Sequence, residues 1–326
     1  VSPSQNPSLS IVIPAFNEEG VIGRTLQRVA AAVASSPELG EVEVIVVSDG
    51  STDATFEEAR GIIEGGFRGM AIELVSNVGS HAAIRCGLRH ANGDHVAILS
   101  ADGQDPPEQL ATMLAAFEPR VDIVWGQRRD RLSDGIVART LAKAYYWLFR
   151  RLTSLDYPPS GLDFVVMTRR VVDAVDQHRE RHASLFLLVF NLGFGQATVP
   201  YDRGERIGGE SGWTLRKRAK LAVDMFTAFS AAPIRLISLT GIMVGLAGLG
   251  FGGVTLIRGF LGQIPVSGWA SMMVLTSLMM GLTLIALGFL GEYVWRALDE
   301  VRGRPLYIEG RRASSDSTTA RGPQDP

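Results

Sequence analysis

The sequence predicts an α/β protein: a Rossmann-like, mostly parallel sheet followed by amphipathic interface helices and two transmembrane helices. Three observations predict it. Short apolar runs end abruptly in polar loops and alternate with amphipathic helical patterns, as βαβ units do. One of them, Val96 to Leu99 inside GDHVAILSADGQDPPE, stops at Ser100 and is followed by Asp102, Gln104 and Asp105, so carboxylates cluster at a strand's carboxyl end, where open α/β sheets bind ligands. Finally, no charged residue appears from Leu236 to Ile257 or from Trp269 to Leu290. Each of these runs has the roughly 20 residues needed to cross a bilayer core.

In order, Leu9 to Ile13 is the first strand, and Pro14-Ala15-Phe16-Asn17-Glu18-Glu19 the loop after it. A helix follows with Val21, Ile22, Leu26, Val29, Ala30 and Val33 on one face, broken by Ser35-Ser36-Pro37. Val42 to Val47 is the second strand and runs into Ser48-Asp49-Gly50-Ser51-Thr52-Asp53, where Ser51 or Thr52 can cap the next helix. Ile72 to Val75 is a third strand ending at Ser76-Asn77-Val78-Gly79, with a helix from His81 to His90 behind it. The run at Val96 is the fourth, closed by Pro106-Pro107, and Val121 to Trp125 the fifth. Right-handed crossovers then bring four loops to one edge, gathering Asn17, Glu18, Asp49, Asp53, Asn77, Asp102 and Asp105. Oxygen-rich loops there suit a hard divalent ion holding a diphosphate; a solvated, helix-capping loop is the alternative. That edge carries no GxGxxG and no P-loop lysine, so a dinucleotide dehydrogenase and a P-loop NTPase are both disfavoured.

Beyond the sheet, Val137 to Leu152 reads as a basic, aromatic amphipathic helix that either lies on a membrane surface or packs on the sheet. Pro158-Pro159-Ser160-Gly161 leads to Asp163 and then to a helix from about Arg170. Ser184 to Phe194 is a further apolar helix and Ala197 to Tyr201 a last strand. From Asp202 to Trp213, arginines three apart precede glycines and a serine. Such a loop can wrap an anion with guanidinium forks, or be drawn as a basic segment to anionic lipids.

Composition bounds the rest. A mean hydropathy of +0.15 with 46% hydrophobic residues is high for a wholly soluble chain, and the excess sits in the two charge-free runs. Arg216, Lys217, Arg218, Lys220 and Arg235 precede the first run, Arg296, Arg302, Arg304, Arg311 and Arg312 follow the second, and the connection holds only Arg258. Both ends are therefore expected in the cytoplasm. The first apolar run is too short for a signal peptide. A single cysteine, Cys86, excludes an internal disulfide and fits a reducing compartment, and a net charge of -2 gives no support for nucleic-acid binding.

With these residues placed, the chain resembles the family 2 glycosyltransferases of GT-A fold, specifically the polyprenyl-phosphate glycosyltransferases, which include dolichyl-phosphate mannose synthase and bacterial undecaprenyl-phosphate glucosyltransferases. IVIPAFNEE, VIVVSDGSTDAT, SNVGSHAAIRCGL, GDHVAILSADGQDPPE and the VWGQR ending at Arg128 match the donor domain in order and spacing. RGERIGGESGWTL matches the acceptor-phosphate motif, and GEYVWRALDEVRGRPLY the end of the pattern, so the likeness runs from about Leu9 to Tyr307. The resemblance implies that Pro14, Ala15, Asn17, Glu18, Asp49, Ser51 and Asn77, with Asp102, bind the nucleotide sugar. It implies that Asp102 and Gln104 hold a divalent cation, Mg2+ or Mn2+, on the donor diphosphate. Arg128 would approach the reacting phosphates, Asp163 would lie beside sugar and acceptor, and Arg203, Arg206 and Ser211 would grip the lipid phosphate.

The expected partners are a nucleotide-diphosphate sugar, a polyprenyl phosphate and a membrane, with no nucleic acid; the reading leaves room for a homo-oligomer. The implied layout is a cytoplasmic GT-A domain over 1–210, a juxtamembrane amphipathic helix over 211–232, and two spans with a short external loop over 233–292. A cytoplasmic tail over 293–326 is expected to be disordered after about 312. The implied location is multi-pass in a bacterial inner membrane, and the implied reaction an inverting transfer, UDP-sugars favoured, to undecaprenyl phosphate. Two departures stand out: Ser48 and Ser100 occupy positions where the family pattern carries aspartates. They motivate a catalytically impaired or regulatory paralogue as an alternative. A processive polysaccharide synthase is a further one, set against the absence of a Gln-x-x-Arg-Trp block and of more spans.

Overall fold

Every residue of β1 (Leu9–Ala15) except Pro14 is buried, including Ser10, as expected of a strand covered on both faces. The structure, a computed structural model, describes residues 8–129, 164–178, 184–204, 232–261 and 268–315. Ile11 and Ile13 face Ile22, Leu26 and Val29 of α1 (Ile22–Ser35) and Phe56, Ala59 and Ile63 of α2 (Thr55–Glu64) in one hydrophobic core. Burying a side chain such as Leu26, which is 0% exposed, contributes about 1.5–3 kcal/mol. Val12, between them in sequence, points to the opposite face. There it meets α3 (Ser80–His90) at Gly87, whose missing side chain lets the helix close onto Val12 of β1 and Val47 of β2 (Val42–Ser48).

The remaining strands are β3 (Gly69–Leu74), β4 (His95–Ile98), β5 (Ile123–Arg128), β6 (Val165–Thr168), β7 (Gln196–Tyr201) and β8 (Glu309–Ser314). They join β1 and β2 in one eight-stranded sheet of order β7-β5-β6-β4-β1-β2-β3-β8. The centre is parallel, with Ala15 opposite Ser48 and Val12 opposite Ile98, so the loops after β1, β2 and β4 leave from one edge. Helices α4 (Leu110–Ala115), α5 (Arg169–Gln177) and α6 (Leu185–Asn191) complete this part, α5 starting where the sequence places a helix.

Two strands depart from the sequence reading. Just before the helix that the sequence places near Arg170 lies β6, antiparallel to both β4 and β5. Its apolar stretch from Phe164 is too short and too close to the helix start to stand out from a connecting segment. The second is β8, antiparallel to β3 at the sheet's edge. It extends to Ser314, just past the boundary at about 312 where the tail was expected to begin, with Ala313 paired to Ala71 and Ser314 to Met70. Edge strands are often charged on their open side, and Glu309, Arg311 and Arg312 read as tail for that reason.

The chain divides into two compact units, the second holding α7 (Ala232–Phe260) and α8 (Trp269–Val301). Both charge-free runs are thus helical, and α8 continues well past Leu290. Leu239, Ile242 and Leu246 of α7 and Leu278, Leu284 and Ile285 of α8 are exposed. Among the described residues one stretch, Leu278–Val301, is long and apolar enough to cross a membrane by length and composition; in α7 the corresponding stretch, Leu239–Gly248, is shorter.

Candidate active site

The loops after β1 and β2 are laced together by backbone groups meeting side chains. Asn17 takes the left-handed conformation at φ 53°, alone in this among the described non-glycine residues. That turn lets its amide N–H donate to Ser51 Oγ (3.2 Å) while its Oδ1 accepts from the Thr52 amide (2.9 Å). Next in line, the Glu18 amide donates to Thr55 Oγ1 (2.8 Å) and the Glu19 amide to Asp53 Oδ2 (3.1 Å). Burial works to raise the Asp53 carboxyl, but hydrogen bonds from Thr55 and from the Glu19 amide outweigh it and hold it below its usual range. Ser48, in one of the two positions where the family pattern has aspartate, donates to Ser51 Oγ (2.9 Å).

Asp49 ties in the third loop. Its two carboxylate oxygens accept from the Val78 and Gly79 amides, both at 2.8 Å, and its own amide donates to Ala15 O at 2.8 Å. Burial is the larger influence on this carboxyl and pushes it up despite those two bonds. The neighbouring Gly50 has φ 62° and abuts the Ser76 and Asn77 backbone, so only a residue without a side chain fits. Pro14, Ala15, Asn17, Glu18, Asp49, Ser51 and Asn77 therefore share one cluster of linked loops, with Asn17 and Asn77 exposed and Ala15 and Asp49 buried.

At β4 the chain turns through Ser100-Ala101-Asp102-Gly103-Gln104-Asp105. Asp102 Oδ1 accepts from Ser100 Oγ (2.8 Å) and from the Gln104 amide (3.1 Å). Asp105 is 3% exposed, with Oδ2 accepting from the Ser100 amide (2.9 Å) and Oδ1 from the Tyr201 hydroxyl (3.3 Å). From α1, Thr25 Oγ1 donates to Ala101 O (2.7 Å), and Arg28 donates to Gly103 O (3.0 Å) and to both Glu108 oxygens (2.8 and 2.9 Å). The turn is thus held from below, from α1 and from β7.

The donor set fits a hard cation. The Asp102 carboxylate and the Gln104 side-chain carbonyl are oxygen donors, and one carboxylate plus substrate phosphates is the usual way a protein holds Mg2+. Ser100, where the family pattern has a second carboxylate, instead hydrogen-bonds Asp102 and fixes its orientation.

Two basic residues lie at or just beyond the ends of neighbouring strands. Arg128 closes β5 opposite Tyr201 of β7, two residues before Arg203. Arg203 is exposed, and the Gly204 amide beside it donates to Gln104 O (3.0 Å), which ties the start of the arginine loop to the Asp102 turn. Asp163, Arg206 and Ser211 lie outside the described residues, as does the amphipathic stretch at 137–152. Arg28, Thr25 and Tyr201 were not legible as site residues: each supports the turn from a distant element, and nothing local to them marks that role.

Residues 10–171 match the family Glycosyl transferase family 2. The chain is similar to the glycosyltransferase YkcC of Bacillus subtilis, at 34% identity over 94% of each chain. It is also similar to the SfII prophage-derived bactoprenol glucosyl transferase of Shigella flexneri, at 31% identity over 92% of this chain and 96% of the other. The undecaprenyl-phosphate 4-deoxy-4-formamido-L-arabinose transferase of Klebsiella pneumoniae is 30% identical over 96% of each. Linked polar loops on the parallel edge of the sheet, the family match and relatives aligned along nearly the whole length lead to one conclusion: this chain is a glycosyltransferase and belongs to glycosyl transferase family 2.

Proposed function

We propose that the protein transfers a sugar from a nucleotide diphosphate, UDP favoured, to a polyprenyl phosphate such as undecaprenyl phosphate at the cytoplasmic face of a bacterial membrane. Names of relatives that act on bactoprenol and undecaprenyl phosphate support the acceptor class. The observation that carries the reading is the Gly204 amide bound to Gln104 O, because it joins the loop proposed for the lipid phosphate to the turn proposed for the donor diphosphate. In this reading Pro14, Ala15, Asn17, Glu18, Asp49, Ser51 and Asn77 line the nucleotide. Arg203, Arg206 and Ser211 hold the acceptor phosphate, and Asp163 orients sugar and acceptor.

The chemistry follows from the acceptor. A phosphate monoester has a second pKa near ~6 and is already anionic at neutral pH, so no base is needed to deprotonate it. Its oxygen bonds to the anomeric carbon while the carbon–oxygen bond to the diphosphate breaks, the electron pair staying on the departing diphosphate; configuration inverts. Asp102 and Gln104 would hold a divalent cation, which when bound would supply charge stabilisation to that leaving group. Arg128 adds a fixed positive charge beside it, and the linked loops contribute alignment. Two spanning helices, α7 and α8, anchor the enzyme, supported by their exposed apolar side chains and by the length of Leu278–Val301.

Purified protein, Mg2+, undecaprenyl phosphate and labelled nucleotide sugars test the proposal through label partitioning into organic solvent. Wild type is expected to label the lipid with one donor, and Asp102→Asn to lose that label while remaining folded and membrane-bound. Absence of lipid label with every donor, or wild-type turnover by Asp102→Asn, overturns it.

A further inference from the structure

A cluster with metal-binding chemistry lies away from the turn at Asp102. Cys86 and His90 stand four residues apart on α3, hence on one helix face, and Glu309 opens β8. One ligand atom from each lies within 4.8 Å of the others. His90 Nε2 and Glu309 Oε1 are 3.0 Å apart, Cys86 is fully buried, and the His90 and Glu309 side chains are 19% and 15% exposed. Arg312, three residues along β8, forms an ion pair with the other Glu309 oxygen.

We propose that Cys86, His90 and Glu309 bind a divalent metal ion of the zinc class, which fastens β8 to α3. Thiolate, imidazole and carboxylate are the three donor types zinc takes, and a sulfur and a nitrogen donor select against Mg2+ and Ca2+. Bonds of about 2.0–2.3 Å put tetrahedral ligand atoms roughly 3.3–3.7 Å apart, so rotamer adjustments of about an ångström close the triad around an ion. The fourth position is left to water. Thiolate and carboxylate together neutralise the dication, and Arg312 on the second Glu309 oxygen orients that ligand as outer partners of metal sites do. The site is separate from the proposed catalytic one: β8 is four strands from β4, which leads into Asp102, or roughly 19 Å at normal strand spacing. Its role is structural, since β8 is an edge strand that reaches the sheet only after the chain has passed through α7 and α8.

Cobalt(II) tests the site, because the chain has one cysteine and any thiolate-to-cobalt charge-transfer band must come from Cys86. The full chain in detergent, stripped with chelator and kept in excess Mg2+, is titrated with cobalt(II) and then zinc(II). The expected result is a near-ultraviolet band that saturates at one equivalent and is displaced by zinc. Cys86→Ser and His90→Gln should each abolish the band, Arg312→Ala should weaken binding about 10- to 100-fold, and Asp102→Asn should leave it intact. Zinc should raise the thermal midpoint of wild type but not of His90→Gln, a half-buried position that tolerates the change if Cys86→Ser fails to fold. No band, or a band indifferent to His90→Gln and Glu309→Gln, overturns the proposal and leaves the three side chains as a hydrogen-bonded pin.

Discussion

Arg28 shows what single side chains contribute. Its guanidinium reaches from α1 to Gly103 O and to both oxygens of Glu108, so it braces the turn holding Asp102 without belonging to it. Arg28→Ala is expected to lower kcat about 10- to 100-fold with little change in KM for the nucleotide sugar, and the far-ultraviolet circular dichroism should be unaltered. Arg28→Lys should not rescue, because a single ammonium cannot reproduce the planar fork. His81 bears on stability. Burial, and secondarily the Arg85 charge, lower its imidazole to about 4, and its ring stands edge-on to Phe186 at 5.7 Å. The unfolded chain, with an ordinary value near 6.5, takes up the proton first. Stability is therefore complete above pH 6.5 and falls as pH drops toward 4, by up to about 3 kcal/mol. Urea unfolding in detergent at pH 7 and pH 4 measures it, and His81→Phe should flatten that part of the difference.

At the scale of elements, α3 is seated by an absence. A methyl group on Gly87 runs into Val12 and into Val47. Alanine in place of glycine normally favours a helix by about 1 kcal/mol. Here overpacking should win, and Gly87→Ala is expected to destabilise by about 1–3 kcal/mol, read from the urea midpoint. The central elements were legible because their physics is local: β1, β2 and β4 are apolar runs ending in polar loops, and α1 carries its buried face at helical spacing. β6 was not, because four residues before a helix carry no period of their own. Nor was β8, whose partners Glu57 and Glu73 meet Arg311 from far along the chain while Arg311 lies 4.6 Å over Phe56. The site followed the same rule: acidic residues at strand ends could be read, whereas the hydroxyl of Ser100 holding Asp102 required the fold.

For the whole molecule, one unit carries the sheet and the linked loops, and the other carries α7 and α8. The relatives at 34% and 30% identity match over more than nine tenths of both chains, so the likeness runs through both units. If the apolar helices are anchors, the protein should stay with the membrane pellet through alkaline carbonate washing and leave it only with detergent. Release by carbonate would remove the spanning helices from the proposed function. The position of β8 along the chain carries a consequence for biosynthesis. At ribosomal speeds of about 5–20 residues per second, the nascent β3 border stays unpaired for roughly 12–50 s before its antiparallel neighbour is translated. Two greasy segments emerge late in that interval, after Leu236 and after Trp269. Until that neighbour arrives, the newborn polypeptide presents a ribbon margin of unpaired amides and carbonyls on which another strand can dock.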